Sequence, residues 1–151
     1  MADHAVGGSE DTLSTIGLGS CVAIALHDSG SHIGGLAHIL LPDESLSRDR
    51  SNAAKFPGTA VPLLVDEMRS LGARRITARI AGGASMFAAL LPGSGINIGE
   101  RNTAATRQAL AAAGIPLIAE DTGGDYGRSV YLRVADGHLL IRSLRNGDRV
   151  L

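Results

Sequence analysis

The chain alternates between short apolar runs and polar, glycine-bearing breaks, and the spacing of those runs predicts its elements. Val22–Leu26 is a continuous apolar stretch and Ile33–Leu41 another, each of strand length, separated by the turn cluster Asp28-Ser29-Gly30-Ser31. From Pro42 to Pro57 the sequence is polar and charged, with Arg48, Asp49 and Arg50 at its centre, the composition of a long exposed loop of the kind that often borders a site. The period then changes. Val61, Leu64, Val65 and Met68 fall at i, i+3, i+4 and i+7, while Asp66, Glu67 and Arg69 lie off that stripe, which predicts an amphipathic helix over Thr59–Leu71. Pro62 is placed in its first turn and Gly72 at the position where a terminating glycine belongs. Ile76–Ile80 reads as a strand running into Gly82-Gly83, and Thr103–Ala113 as an Ala-rich helix with Asn102 as N-cap and Gly114 at its end. Ile115–Ala119, Ser129–Val134 and Leu139–Ser143 complete the strands, the last two joined through the hairpin signal Asp136-Gly137.

Strands outnumber helices and several are joined by hairpins. The pattern therefore predicts an α+β fold, a layered mixed or antiparallel β-sheet sandwich with helices packed on one side. No regular βαβ alternation supports a doubly wound nucleotide fold. Residues 1–12 are expected to be a short polar N-terminal segment and residues 13–151 a single domain, within the usual domain size for a chain of 151 residues.

Composition narrows the function classes. The chain has 14 basic and 15 acidic residues, so no positive field draws it to a phosphate backbone. With no Trp, two Phe and two Tyr it lacks stacking platforms for single-stranded bases, and nucleic acid is not expected as a partner. No apolar run is long enough to span a bilayer and no signal-peptide core precedes the domain, so membrane insertion is not expected and the expected location is cytoplasmic. A single cysteine leaves neither an intramolecular disulfide nor a multi-thiolate zinc site.

That cysteine, Cys21, follows Thr15-Ile16-Gly17-Leu18-Gly19-Ser20 and opens a strand. Two glycines spaced by one residue allow a tight turn just before the thiol, and the Gly19-Ser20 backbone could aim N–H groups at a developing oxyanion. Free cysteine is also among the most buried residue types, so an inert packing role fits the same segment. Strand register supplies a partner. A turn centred on Ser29-Gly30 pairs Asp28 with Ser31 and, followed along both strands, sets Cys21 directly opposite His38. Opposed side chains share a face with Cβ atoms roughly 4.5–5.5 Å apart, whereas a one-residue slip would separate them. His38 lies between Leu36 and Leu40 on an otherwise apolar face. A thiol of ordinary pKa, about 8.5, is only slightly ionised at neutral pH, and a histidine base makes it competent. Thr15, six residues before Cys21 across the glycine turn, could fold back to orient the imidazole, or be an ordinary strand residue. His4, His27, His32 and His138 have no comparable partner and are expected in surface or turn positions.

At these residues the chain resembles a known family. Thr15-Ile16-Gly17-Leu18-Gly19-Ser20-Cys21-Val22 and Gly34-Gly35-Leu36-Ala37-His38-Ile39-Leu40-Leu41-Pro42 are similar to the signature region of the CheD family. The blocks at Thr59–Leu64, Gly82–Phe87, Ile98–Asn102 and Asp121–Gly124 follow in the family's order, so the resemblance covers roughly Leu13 to Ser143. It implies a protein-glutamine glutaminase that deamidates glutamine side chains on cytoplasmic chemoreceptor helices to glutamate and ammonia. It further implies Cys21 as nucleophile, His38 as base and Thr15 as third member, with no metal or organic cofactor. A CheC-type phosphatase is the implied partner, competing with receptor, and Met86 and Phe87 are candidates for the partner or receptor surface. The alternative within the resemblance is a binding module that regulates the phosphatase with little or no catalysis.

Overall fold

The computed structural model describes residues 2–86 and 97–151. Two sheets pack face to face and two helices cover the outer side of one of them. The first sheet runs β1-β4-β3-β5-β6, built from β1 (His4–Gly7), β3 (Val22–Asp28), β4 (Ile33–Ile39), β5 (Thr77–Gly82) and β6 (Leu117–Thr122). The second runs β2-β7-β8-β9, from β2 (Thr12–Leu18), β7 (Arg128–Arg133), β8 (His138–Ser143) and β9 (Gly147–Val150). All pairings are antiparallel except β5 with β6, which the helix α2 (Ile98–Ala112) connects in sequence. The layered α+β architecture expected from the pattern is the one observed.

The centre strand β3 is buried along its whole length because both faces are covered. Val22, Ile24 and Leu26 join Ala37, Ile39 and Ile80 beneath α1 (Pro57–Ser70), whose Val61, Leu64, Val65 and Met68 form the predicted stripe. On the other face Cys21, Ala23, Ala25 and Leu36 meet Leu18, Val130, Leu132, Leu139 and Ile141 between the sheets. Strand β4 shows why small residues are needed here. A Cβ on Gly34 would lie 2.9 Å from Val134 of the second sheet, and one on Gly35 would lie 3.1 Å from Leu64 and Met68 of the helix. Adding either methyl overpacks a layer contact, a change that typically costs about 1–3 kcal/mol.

Several expectations need correction. The β3–β4 hairpin closes through four residues, Ser29–His32, and not through a two-residue Ser29-Gly30 turn. Asp28 pairs with Ile33, and the Asp28 carboxylate accepts from the Gly30 N–H at 2.9 Å, holding the longer loop. The register is thus displaced by two, setting Ala23, not Cys21, opposite His38. A displacement of two preserves the face. Cys21 and His38 still look into the same layer, now diagonal to one another across the small Ala23.

Asn102 does not cap a helix. α2 begins a turn earlier at Ile98, with Asn97 as N-cap accepting from the Glu100 N–H at 3.0 Å. Likewise α1 begins at Pro57, so Pro62 falls in the second turn, at an exposed position. Residues 4–7, too polar to be read as part of the folded unit, form the edge strand β1 through backbone pairing with β4. The stretch Pro42–Pro57 is mostly exposed, yet it contains 3-10 turns at Glu44–Leu46 and Ala53–Lys55 and buries Ala54 and Phe56. His27 is not a surface residue: it is buried, with Nε2 2.7 Å from the Val134 carbonyl of the second sheet. No described helix is long and apolar enough to cross a membrane.

Candidate functional site

Cys21 sits on the loop Gly19–Cys21, where the chain leaves β2 and enters β3, and its residue is 9% exposed. All three carbonyls of this loop are taken by donors. Gly19 O accepts from the Ala84 N–H at 2.9 Å, Cys21 O from the Gly83 N–H at 2.8 Å, and Ser20 O from the Asn102 side-chain amide at 2.9 Å. The Gly82-Gly83 turn makes this approach possible. Gly82 and Gly83 have φ of +113° and +67°, and a Cβ on Gly82 would lie 2.3 Å from the Cys21 carbonyl oxygen. Only glycine fits there.

The turn is held from behind by Arg128, a buried guanidinium that the sequence reading missed. Its Nη1 donates to Gly82 O at 3.0 Å and its Nη2 to Gly123 O at 2.7 Å, while Nε lies 3.2 Å from Asp121 Oδ1. Its face rests on the Tyr126 ring, 4.1 Å from the centroid. A lone arginine at the start of a strand gives no sign of this in sequence, because the turn it braces, through the Gly82 carbonyl, lies 46 residues away along the chain.

His38 is 6% exposed and lies near the end of β4. Thr15 Oγ1 and His38 Nδ1 are 2.7 Å apart, a close hydrogen bond from the second sheet to the first. Regular pairing with β7 points that hydroxyl inward, opposite the buried Val130, and a bulge follows it. Between Thr15 and Leu18 strand β2 gains one residue relative to β7, with Gly17 at φ +75°. The extra residue lets Thr15 and Leu18 both point into the sandwich while Ile16 faces solvent, the re-aiming that bulges provide beside sites. His38 Nε2 is buried and has no hydrogen-bond partner among the described residues.

Burial dominates the electrostatics. It pushes the Cys21 thiol above its ordinary pKa, against a smaller opposing effect of the residue's own backbone N–H. Burial also holds the His38 imidazole below its ordinary value. Both shifts favour the uncharged forms, so the resting pair near neutral pH is thiol and neutral imidazole. Such a pair can perform nucleophilic acyl chemistry when the imidazole takes the thiol proton as the sulfur attacks.

The sequence-derived residues are placed as follows. Thr15 and His38 are brought into direct contact, and Cys21 shares their layer. Gly19 and Ser20 form the loop beside the thiol. Met86 is 47% exposed and lies over that loop, its Sδ 3.0 Å from where a Gly19 Cβ would stand. Phe87 lies outside the described residues. A cleft of about 490 Å³ at the β1–β2 edge of the sandwich is lined by Asp3, His4, Thr15, Ile16 and His38 among others, but Cys21 is not one of its lining residues. Among the described residues no group of three or more His, Cys, Asp or Glu side chains is close enough to hold a metal ion.

Comparison with known proteins agrees with the resemblance. Residues 40–143 match the family model described as CheD chemotactic sensory transduction. That span begins just beyond His38, but the full-length relatives cover the site. The chain is 45% identical over all of its length to a "Probable chemoreceptor glutamine deamidase CheD" of Caldanaerobacter subterraneus, covering 94% of that protein. It is 52% identical to one of Moorella thermoacetica over 92% of this chain and 85% of the relative. A relative from Geobacter metallireducens, "Probable chemoreceptor glutamine deamidase CheD 2", is 47% identical over 96% of this chain and 91% of its own.

Proposed function

The chain belongs to the CheD family, and from that premise we propose that it hydrolyses glutamine side chains of chemoreceptors to glutamate, releasing ammonia. The relatives named above are chemoreceptor glutamine deamidases. The observation that carries the chemistry is the Thr15 Oγ1–His38 Nδ1 bond. With Nδ1–H donated to the threonine oxygen, Nε2 keeps its lone pair and is the nitrogen free to act as base.

In this reading His38 Nε2 takes the Cys21 proton as the sulfur attacks the carboxamide carbon. The C=O π electrons move to oxygen, and the resulting oxyanion is held by the Cys21 N–H. Collapse expels the amide nitrogen, which takes the proton from the imidazolium and leaves as ammonia. Water, deprotonated by the same imidazole, then adds to the thioester, and departure of the sulfur gives glutamate and the thiol. Thr15 holds the ring without bringing a charge to it.

The receptor helices are cytoplasmic in this reading, and the enzyme acts there. A CheC-type phosphatase is the proposed partner, with exposed Met86 beside the nucleophile loop as a contact. The test is mass spectrometry of receptor cytoplasmic fragments incubated with the protein or with Cys21→Ala. Cysteine-dependent gains of about 1 Da at glutamine, the replacement of an amide NH₂ by OH, support the proposal. Identical unmodified receptor in both reactions removes it.

A further inference from the structure

Asn102 is the residue whose surroundings the nucleophile, the base and the orienting hydroxyl leave unexplained. It is 0% exposed, inside α2, and its side chain reaches two segments far apart in sequence. Nδ2 donates to Ser20 O at 2.9 Å and to Leu40 O at 3.1 Å, while Oδ1 is buried with no partner among the described residues.

The place it occupies is where a ladder ends. The last β3–β4 pair is Val22 with Ile39. One step further the strands part: Cys21 O accepts from Gly83 N–H and the Leu40 N–H donates to Lys55 O. The Ser20 and Leu40 carbonyls then both lack a backbone donor from the neighbouring strand. Two acceptors cannot bond to each other, and a primary amide supplies two N–H donors from one nitrogen. Asn102 thereby spans the split, tying the residue before Cys21 to the segment two residues beyond His38.

The clamp also sets a direction. In a trans peptide the C=O of one residue and the N–H of the next point opposite ways in one plane. Fixing Ser20 C=O toward Asn102 therefore fixes the Cys21 N–H away from it.

We propose that Asn102 is a positioning residue for the reaction: its amide, bridging Ser20 O and Leu40 O, locks the Ser20–Cys21 peptide so that the Cys21 N–H faces the thiol and oxyanion, and holds that loop in register with His38. The oxyanion part rests on the deamidase reading above, whereas the effect on the thiol does not.

The test uses the full chain with Asn102→Asp, Asn102→Ala and, as a control, Thr106→Val. Thr106 is equally buried one turn along the same helix and its hydroxyl donates to the Asn102 backbone carbonyl at 2.7 Å, with no hydrogen bond to the nucleophile loop among the described residues. Alkylation of Cys21 by iodoacetamide across pH reads the thiol directly. Both Asn102 variants are expected to alkylate about tenfold more slowly at neutral pH, with the inflection about one unit higher, because the thiolate loses its aligned N–H. For receptor fragment, kcat should fall by about 100-fold with KM within about twofold, the signature of a lost oxyanion donor. Thr106→Val should lose stability but keep the wild-type alkylation profile and kcat.

A folded Asn102 variant with the wild-type alkylation profile overturns the proposal. So does a Thr106→Val protein whose profile moves as far. If neither Asn102 variant folds, hydrogen exchange of the Asn102 side-chain amide in the wild-type protein decides: protection of both protons supports the clamp and rapid exchange of either refutes it. A profile that shifts in variants of a wild type inactive on receptor keeps the clamp and removes the substrate reading.

Discussion

Replacing Thr15 by valine isolates the orienting hydroxyl. Valine keeps the β-branched shape that β2 accepts and deletes only Oγ1, so the 2.7 Å contact to His38 Nδ1 is lost with little change in packing. Two effects follow. The direct loss is one neutral, partly buried hydrogen bond, about 0.5–1.5 kcal/mol, and an Nδ1–H left unsatisfied in the sandwich adds up to roughly 1–3 kcal/mol of desolvation. Moving the proton to Nε2 does not relieve that cost, because Nε2 is itself buried without a partner among the described residues, so the ring sheds it only by rotating, which removes the productive form. A loss of about 1.5–3 kcal/mol corresponds to roughly 10–150-fold in kcat/KM, since 1.36 kcal/mol is tenfold. The assay is the time course of receptor-fragment deamidation by mass spectrometry, with ammonia release as a second readout and Thr15→Ser as the variant that restores the hydroxyl. Thr15→Ser should recover most of the lost rate and melt near the wild type, whereas Thr15→Val should melt a few degrees lower. Thr15→Val activity within twofold of wild type would refute the orienting role, as would an equal loss in Thr15→Ser.

Two further outcomes follow from charge. Because burial raises the Cys21 thiol and lowers the His38 imidazole, the wild-type protein at pH 7 should show little thiolate absorbance at 240 nm relative to Cys21→Ser; a full thiolate signal would indicate a preformed ion pair instead. The same neutral pair predicts that kcat/KM rises with pH along an acid limb lying below the ordinary histidine pKa. Asp28 tests the β3–β4 loop. Its carboxylate accepts from the Gly30 and Arg74 N–H groups, the latter at 2.6 Å, and is held down to about 2 from an unfolded value of 3.8. A depressed acid stabilises the fold above its unfolded pKa and loses that contribution as pH falls through the folded one. Stability of wild type over Asp28→Asn, by urea denaturation, should therefore be on the order of 1 kcal/mol at pH 6 and fade between pH 4 and 2. A difference that stays constant through that window would contradict the assignment.

Much of this architecture is legible along the chain because its signals are local. The i, i+3, i+4 stripe of α1, the apolar runs of β3 and β4, and the Asp136-Gly137 turn each report the burial of their own neighbourhood. The common face of Cys21 and His38 was legible for the same reason, since parity along two hairpin strands survives an error of two in register. Their opposition was not. Whether a turn uses two residues or four depends on the Asp28 carboxylate finding the N–H groups of Gly30, Arg74 and Arg75, the last two reached only after α1 has packed. Strands β1, β2 and β9 escaped notice because they are short or exposed on one side, and sheet pairing rather than hydrophobic content holds them in place.

By itself, then, the sequence determined the chemical identities at the site and the face on which they meet: one thiol, one imidazole on an apolar strand, and a glycine-bounded loop. Only the tertiary structure decided their geometry. The packing of the two sheets sets Thr15 against His38, Arg128 braces the Gly82-Gly83 turn, and Asn102 grips two carbonyls where β3 and β4 part. These contacts join segments 23 to 82 residues apart, and all but the Thr15–His38 bond end on backbone carbonyls, groups that every residue carries alike. Side-chain type announces chemistry along the chain, whereas a backbone carbonyl acquires a particular partner only when the fold brings one to it.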